Sequence, residues 1–186
     1  MSVEPLQQAI KSTRAVLANV EPNDLGRSTP CQSWKVSDLV NHIVGGQFFF
    51  AAAANGEAPS GEQKDYSTAD FVAEFDRGST ACMDAFSQDG VMEKVLHLPF
   101  GDMPGSMFVG LAATDTFVHG WDLARAVGQP TDMEPGLATV LLTQVQGMLP
   151  PETRGEDGKA PFGPEQQAPD GATNADRLAA FLGRRV

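Results

Sequence analysis

The 186-residue chain has three histidines, and two of them, His42 and His119, fall inside segments with helical patterning. Asp115 precedes His119 by four residues. Four residues of α-helix turn about 400° and rise about 6 Å, so Asp115 and His119 lie close together on one helix face. A carboxylate and an imidazole at this spacing can chelate one metal ion, as i,i+4 ligands share zinc in metalloproteases.

The same residues allow other interpretations. Asp122, three residues after His119, either competes with Asp115 as a ligand or orients His119 through a hydrogen bond. His42 lies among apolar residues, where its ring nitrogens need partners, and a metal ion or an ordinary hydrogen bond can provide one. His97 falls in a strand-like segment outside this group. Spacing alone therefore leaves a metal site and a hydrogen-bonded core histidine both open.

Apolar periodicity predicts the helices that would position these residues. A Ser67-x-x-Asp70 sequence resembles a capping box for the third helix, and Asp89-Gly90 would end that helix. Gly56 and Gly128 follow the second and fourth helices as expected for C-terminal caps. We expect the other helices over residues 3–19, 36–55, 104–127, 134–149 and 174–183.

Between the third and fourth helices, residues 91–98 predict a short strand or extended arm, and residues 99–105 predict a turn. Pro104 suits the first position of the fourth helix. Near the end of the chain, Pro150-Pro151 should end the fifth helix and residues 151–172 should form an irregular loop, after which Thr173 could cap the last helix.

Four main helices, a short β-like arm before the fourth, and smaller helical elements after it predict an all-α four-helix bundle. The length favours a single domain over residues 1–186. Bundle cores commonly hold metals between facing helices. Two histidines and one carboxylate leave coordination positions open, which is typical of catalytic rather than structural sites.

The net charge of 13 − 24 = −11 argues against binding to nucleic acid or anionic membranes. Arg184-Arg185 is the strongest basic run. The longest apolar run, residues 48–54, is far shorter than the ~20 residues that span a bilayer, and the N-terminus lacks signal-peptide patterning. We therefore expect a soluble, cytoplasmic protein whose two cysteines, Cys31 and Cys82, are reduced thiols.

Several segments together resemble one known family. They are TPCQSWKV at 29–36, DLVNHIVGG at 38–46, HGWDLARAVGQP at 119–130, PFGP at 161–164 and DRLAAFLGR at 176–184. The chain is similar over almost its whole length to actinobacterial proteins related to the metal-binding N-terminal domain of mycothiol-dependent maleylpyruvate isomerase, within the DinB/YfiT-like superfamily. The HGWD sequence is the most specific of these segments.

The resemblance implies a DinB-like four-helix bundle in which His42, Asp115 and His119 hold one divalent metal ion. It thereby brings His42 into the same site as the chelating pair. The isomerase has Glu at the carboxylate position where this chain has the shorter Asp115, so Asp122 stays an alternative ligand. Zinc suits this mixed N/O donor set best, with nickel and iron(II) as alternatives.

The implied function is a metal-dependent enzyme that activates a low-molecular-weight thiol, such as mycothiol, for transfer or addition to a small electrophile. Arg125 could hold an acidic group of the cofactor or substrate, or form a surface salt bridge. The isomerase has a second domain that this chain lacks, so isomerase activity itself does not carry over. The alternatives are a non-catalytic metal- or ligand-binding bundle and a metal-dependent hydrolase, and the resemblance implies a homodimer as one assembly of such proteins.

Overall fold

The computed structural model describes residues 2–57, 64–149, 153–156, 159–160 and 162–186. In that part of the chain the α-helices are α1 (Glu4–Leu17), α2 (Val36–Asn55), α3 (Phe71–Phe86), α4 (Gly105–Val127), α5 (Pro135–Met148) and α6 (Asn174–Phe181). Two short strands, β1 (Val95–Leu98) and β2 (Gly101–Pro104), lie between α3 and α4. None of the described helices has the length and apolar character needed to cross a bilayer.

The first four helices form the bundle, as the sequence predicted. α1 packs along α4 and α2 along α3, while contacts of α2 with α4 and of α1 with α3 close the arrangement. α5 and α6 pack on each other, and α6 also contacts α4. The core includes five fully buried aromatic side chains, each worth roughly 1.5–3 kcal/mol of burial free energy: Phe75, Phe86, Phe108, Phe117 and Trp121.

The close packing of α1 against α4 depends on Gly120. A Cβ atom at this position would lie 2.2 Å from the Thr13 hydroxyl oxygen. That hydroxyl is buried and donates a 2.8 Å hydrogen bond to the carbonyl of Thr116. Gly120 therefore lets α4 approach α1 closely.

The arm before α4 is a two-stranded hairpin, so the turn expected over residues 99–105 is too long. β2 pairs antiparallel with β1, with Val95 opposite Pro104 and Leu98 opposite Gly101. This pairing confines the turn to residues 99–100, and Gly101 after it has a φ of +123°, which glycine adopts readily. Pro104 ends the strand with a ψ of 140°, so the helix begins one residue later than predicted.

The predicted cap of the third helix is also wrong. Ser67 lies in a short 3₁₀ turn, where its backbone N–H donates to the carboxylate of Asp65. Asp70 is itself the N-cap of α3, and it accepts a hydrogen bond from the Ala73 backbone. The Asp70 carboxylate can satisfy one free N–H of the first turn without help from Ser67, because a carboxylate is itself a good N-cap.

The C-terminal elements return the chain to α4. Thr173 caps α6 as predicted, with its hydroxyl accepting from the Asp176 backbone at 3.0 Å. The Asp176 carboxylate in turn accepts a hydrogen bond from the Trp121 indole on α4. After α6, Arg184 pairs with Asp122 of α4. The expected stop of α5 at Pro150-Pro151, and part of the loop expected over 151–172, lie outside the described residues.

Candidate metal centre

Three predicted ligands, His42 on α2 and Asp115 and His119 on α4, meet at one point between the two helices. The Asp115 Oδ1 atom lies 3.3 Å from His42 Nε2 and 3.6 Å from His119 Nε2. The two imidazole ring centroids are 4.4 Å apart. The spacing of Asp115 and His119 therefore places both on the face of α4 that looks at His42.

These separations suit a common metal ion. Ligand atoms about 2.0–2.1 Å from a tetrahedral zinc ion lie about 3.3 Å from one another. All three donor atoms are within 4.8 Å of one another. The three residues could therefore hold one divalent ion.

Asp122 lies on the other side of the His119 ring from Asp115. Its Oδ2 atom is 3.0 Å from His119 Nδ1, and the carboxylate is completely buried. A carboxylate only accepts hydrogen bonds, so His119 Nδ1 carries a proton and the Nε2 lone pair faces Asp115. Of the two roles considered for Asp122, the geometry favours orienting His119 over replacing Asp115.

The sequence did not indicate two further members of this cluster, Arg184 and Cys31. The guanidinium of Arg184 lies 2.9 Å from Asp122 Oδ2 and also donates to Oδ1. The Cys31 thiol lies 3.3 Å from the same Oδ2 atom. A buried carboxylate requires a compensating charge, and that requirement is the signal that could have directed attention to a basic residue near the C-terminus.

Cys31, His119 and Asp122 form a second group with metal-ligating atoms close together. The Arg184 guanidinium lies in this group, 2.9 Å from Asp122 and 3.8 Å from the sulfur of Cys31. A cation therefore already neutralises this carboxylate. The group formed by His42, Asp115 and His119 contains no such basic side chain.

The surroundings leave the donor atoms accessible. The side chains of His42 and Asp115 are 35% and 26% exposed, against 12% for His119. Gly46, one turn after His42, would bring a Cβ atom 3.8 Å from Asp115 Oδ2, so its absence leaves room beside the carboxylate. Trp34 covers one side, with its ring 4.8 Å from His42 and 5.6 Å from His119.

The surroundings of the two histidines shift their pKa values in opposite directions. Burial lowers the pKa of His119, and the neighbouring His42 lowers it further, so the neutral ring is favoured. Burial also lowers the pKa of His42, but the Asp115 carboxylate outweighs this and raises it overall. Burial alone would raise the pKa of Asp115 and of Asp122, yet the histidines and Arg184 lower both. Asp115 and Asp122 are therefore held as carboxylates, and His42 takes up a proton more readily than His119.

Comparison with known proteins shows which family the sequence matches. Residues 6–124 match the family model described as the mycothiol maleylpyruvate isomerase N-terminal domain. The chain belongs to this family. All three proposed ligands and Asp122 fall inside the matched region, while Arg184 and Arg125 fall after it.

Two similar proteins come from Mycobacterium tuberculosis: "Uncharacterized protein Rv0738" (strain ATCC 25618 / H37Rv) and "Uncharacterized protein MT0763" (strain CDC 1551 / Oshkosh). Each is 40% identical over 182 residues, which cover 97% of this chain and 96% of the relative. The similarity thus covers almost the whole length of both proteins.

A solved structure of a mycothiol-dependent maleylpyruvate isomerase has a similar fold, with a TM-score of 0.52 and 16% sequence identity. The match covers 66% of this chain and 61% of that chain. The likeness confirms the predicted DinB-like all-α fold of this family domain.

The other residues noted in the sequence lie apart from the candidate metal centre. His97 is exposed on the hairpin and pairs with Asp102 at 2.9 Å. Arg125 is exposed near the end of α4 and borders a surface cavity together with Arg185. Cys82 is buried, and burial raises the pKa of its thiol to about 12.

Proposed function

We propose that His42, Asp115 and His119 bind one divalent metal ion, with zinc favoured over nickel and iron(II). We further propose that the site activates a low-molecular-weight thiol, such as mycothiol, for transfer or addition to a small electrophile. Membership in a family named for a mycothiol-dependent enzyme supports the thiol class. The donor atoms are only partly exposed between two helices, which favours a small substrate.

The orientation of His119 is the observation that carries the metal assignment. Asp122 holds the proton on Nδ1, so the Nε2 lone pair points at Asp115 Oδ1 from 3.6 Å. Two acceptors facing each other at this distance repel unless a cation lies between them. The lowered pKa of His119 disfavours a proton there, and a metal ion bound between the two atoms would remove the repulsion.

Charge balance favours an anionic third partner such as a thiolate. Arg184 and Asp122 cancel each other, and with neutral histidines Asp115 leaves one negative charge in the cluster. A divalent cation supplies the positive charge that favours the thiolate, the nucleophilic form, over the neutral thiol. The space beside Gly46 and Asp115 is where this chain can admit the thiol and the electrophile.

The chain's own residues contribute positioning and exclusion of water. His119 is held by Asp122, and Asp122 by Arg184, so the Nε2 direction is fixed before any ligand binds. Trp34 covers the imidazole rings and limits water on that side. Asp115 lies at 3.3 Å from His42 Nε2 and keeps that ring turned toward the centre.

A cobalt-substitution experiment tests this proposal. The tag-free protein should bind close to one equivalent of cobalt(II), with a visible spectrum that changes when a low-molecular-weight thiol is added. His42→Ala should abolish the cobalt spectrum, whereas His97→Ala, a change in an exposed histidine on the hairpin, should leave it intact.

The outcomes separate the alternatives. Cobalt binding with no spectral response to thiols would overturn the thiol assignment and leave a metal-binding bundle. Turnover of an activated ester without added thiol would instead support a metal-dependent hydrolase. Equal cobalt binding by the wild type and His42→Ala would overturn the metal site itself.

A further inference from the structure

A cavity of about 360 Å³ lies beside the loop that carries Cys31 and Trp34. Three parts of the chain border it: the loop at residues 28–32, the end of α4, and the tail after α6. In the loop, Cys31 contacts Asp122, whereas its neighbours Pro30 and Gln32 line the cavity. The cavity is therefore separate from the histidine cluster.

The two arginines of the tail, Arg184 and Arg185, have different surroundings. Arg184 is directed inward and pairs with the buried carboxylate of Asp122. Arg185, the next residue, lines the cavity and is exposed. Arg125 reaches the same cavity from the last turn of α4. Two arginines from distant parts of the sequence thus border one concave site.

Neither Arg125 nor Arg185 forms an ion pair with a carboxylate in the described ranges of the chain, and no acidic residue is among those found to line the cavity. Carboxylates pair with four of the other arginines, namely Arg14, Arg27, Arg77 and Arg184. In a chain with a net charge of −11, this concave site is a local positive region that would concentrate small anions.

The residues that line the cavity indicate which chemical class of ligand it would bind. Guanidinium groups bind planar carboxylates and phosphates through paired N–H donors. Ser28 and Gln32, which have polar side chains, also line the cavity. The cavity volume is near the lower end of the range for small-molecule sites, and the acidic surface elsewhere disfavours nucleic acid.

We infer that Arg125 and Arg185 form a binding site for a small carboxylate- or phosphate-bearing molecule, distinct from the metal centre. The site does not require the metal ion, because none of the proposed ligands lines it. It gives Arg125 an acidic partner supplied by a ligand rather than by another side chain of the protein.

A titration with succinate and with inorganic phosphate, followed by ¹H–¹⁵N NMR of the full chain, tests the inference. Backbone amides of residues 28–32 and 183–185 and the Nε–H signals of Arg125 and Arg185 should shift in a saturable way. Arg125→Met and Arg185→Met should each weaken binding about tenfold, the expected cost of one charge-assisted hydrogen bond. Lys11→Met, which removes an exposed cation on α1, should leave the affinity unchanged.

Saturation by succinate alone would identify the ligand as a carboxylate, and saturation by phosphate alone would identify it as a phosphate; either supports the site. Shifts that sodium chloride reproduces at equal ionic strength would overturn it, as would full affinity in the Arg125→Met/Arg185→Met double variant. His42→Ala should bind the anion normally, so failure of the metal proposal and failure of this one can be told apart.

Discussion

Arg184 in the C-terminal tail and Asp122 in α4 form an ion pair at 2.9 Å, in which the carboxylate is fully buried and the guanidinium side chain is 12% exposed. The same carboxylate accepts a hydrogen bond from His119. The tail is therefore part of the support for a proposed metal ligand 65 residues earlier in the sequence. Stability and metal binding should both depend on this pair.

Arg184→Met should destabilise the protein by about 3–5 kcal/mol, because it leaves the buried charge of Asp122 without compensation. The free energy of unfolding in urea measures the effect. The matched control is Arg14→Met, which removes an exposed pair with Asp76 and should change stability far less. Equal losses in the two variants would contradict the structural role assigned to Arg184.

The same pair predicts a pH dependence of stability. The pKa of Asp122 in the folded protein lies below its unfolded value of about 3.9. Its stabilising contribution is therefore fully present above about pH 4 and is lost as the pH falls below that value toward the folded pKa. Between pH 6 and pH 3, urea unfolding should show a steeper loss for the wild type than for Asp122→Asn. Parallel curves for the two proteins would contradict the prediction.

Metal titration should separate a ligand from a residue that orients one. Asp115→Asn removes an anionic donor, so we expect it to abolish stoichiometric cobalt binding. Asp122→Asn should still bind one equivalent, with an affinity about 10–100-fold weaker, as for other residues that orient a ligating histidine. Asp115→Glu should retain one equivalent. If Asp122→Asn abolished binding while Asp115→Asn kept it, the roles of the two residues would be reversed.

Much of the fold could be predicted from local patterns, because helix caps and apolar periodicity are short-range properties. Gly56 and Gly128 end α2 and α4 with φ values of +76° and +77°, as their positions after apolar helices predict. The cap of α3 was a local error, whereas the second strand was missed because its pairing is not local. β2 forms because β1 is available to pair with it, and a Pro/Gly-rich stretch alone does not indicate such a partner.

The candidate site, like the fold, could be predicted only in part from local patterns. Helical spacing predicted that Asp115 and His119 share a face, and the family resemblance was needed to add His42 from a different helix. Arg184 could not be placed by spacing, since its position depends on how α6 packs on α4. The Arg184-Arg185 run drew attention only as a basic run, although its two residues have different surroundings.

Cys82 should be almost inert toward thiol reagents in the folded protein. Burial raises its pKa to about 12, so at pH 8 only about one thiol in 10⁴ is ionised, against about a tenth or more for an exposed cysteine. In the Cys31→Ser variant Cys82 is the remaining thiol of the chain. Its reaction with an aromatic disulfide reagent should be slow in buffer and fast in urea. Equally fast reaction in both conditions would contradict its burial.

Gly120→Ala should destabilise the bundle, although alanine normally favours a helix. The added Cβ atom would lie 2.2 Å from the Thr13 hydroxyl and 3.1 Å from the Thr13 Cβ atom. Thr13 cannot move freely because it is buried and bonded to Thr116 on α4. We therefore expect a loss of about 1–3 kcal/mol, typical of overpacking, measured by thermal or urea unfolding.

Gly147→Ala in α5 is the matched control for this substitution. A Cβ atom there meets no atom within 4 Å, so the helix propensity of alanine should leave stability unchanged or raise it by up to about 1 kcal/mol. A similar loss in both variants would mean that the helices tolerate alanine poorly for a reason other than contact. A loss confined to Gly120→Ala, together with weaker cobalt binding, would show that the α1–α4 contact also sets the position of the neighbouring His119.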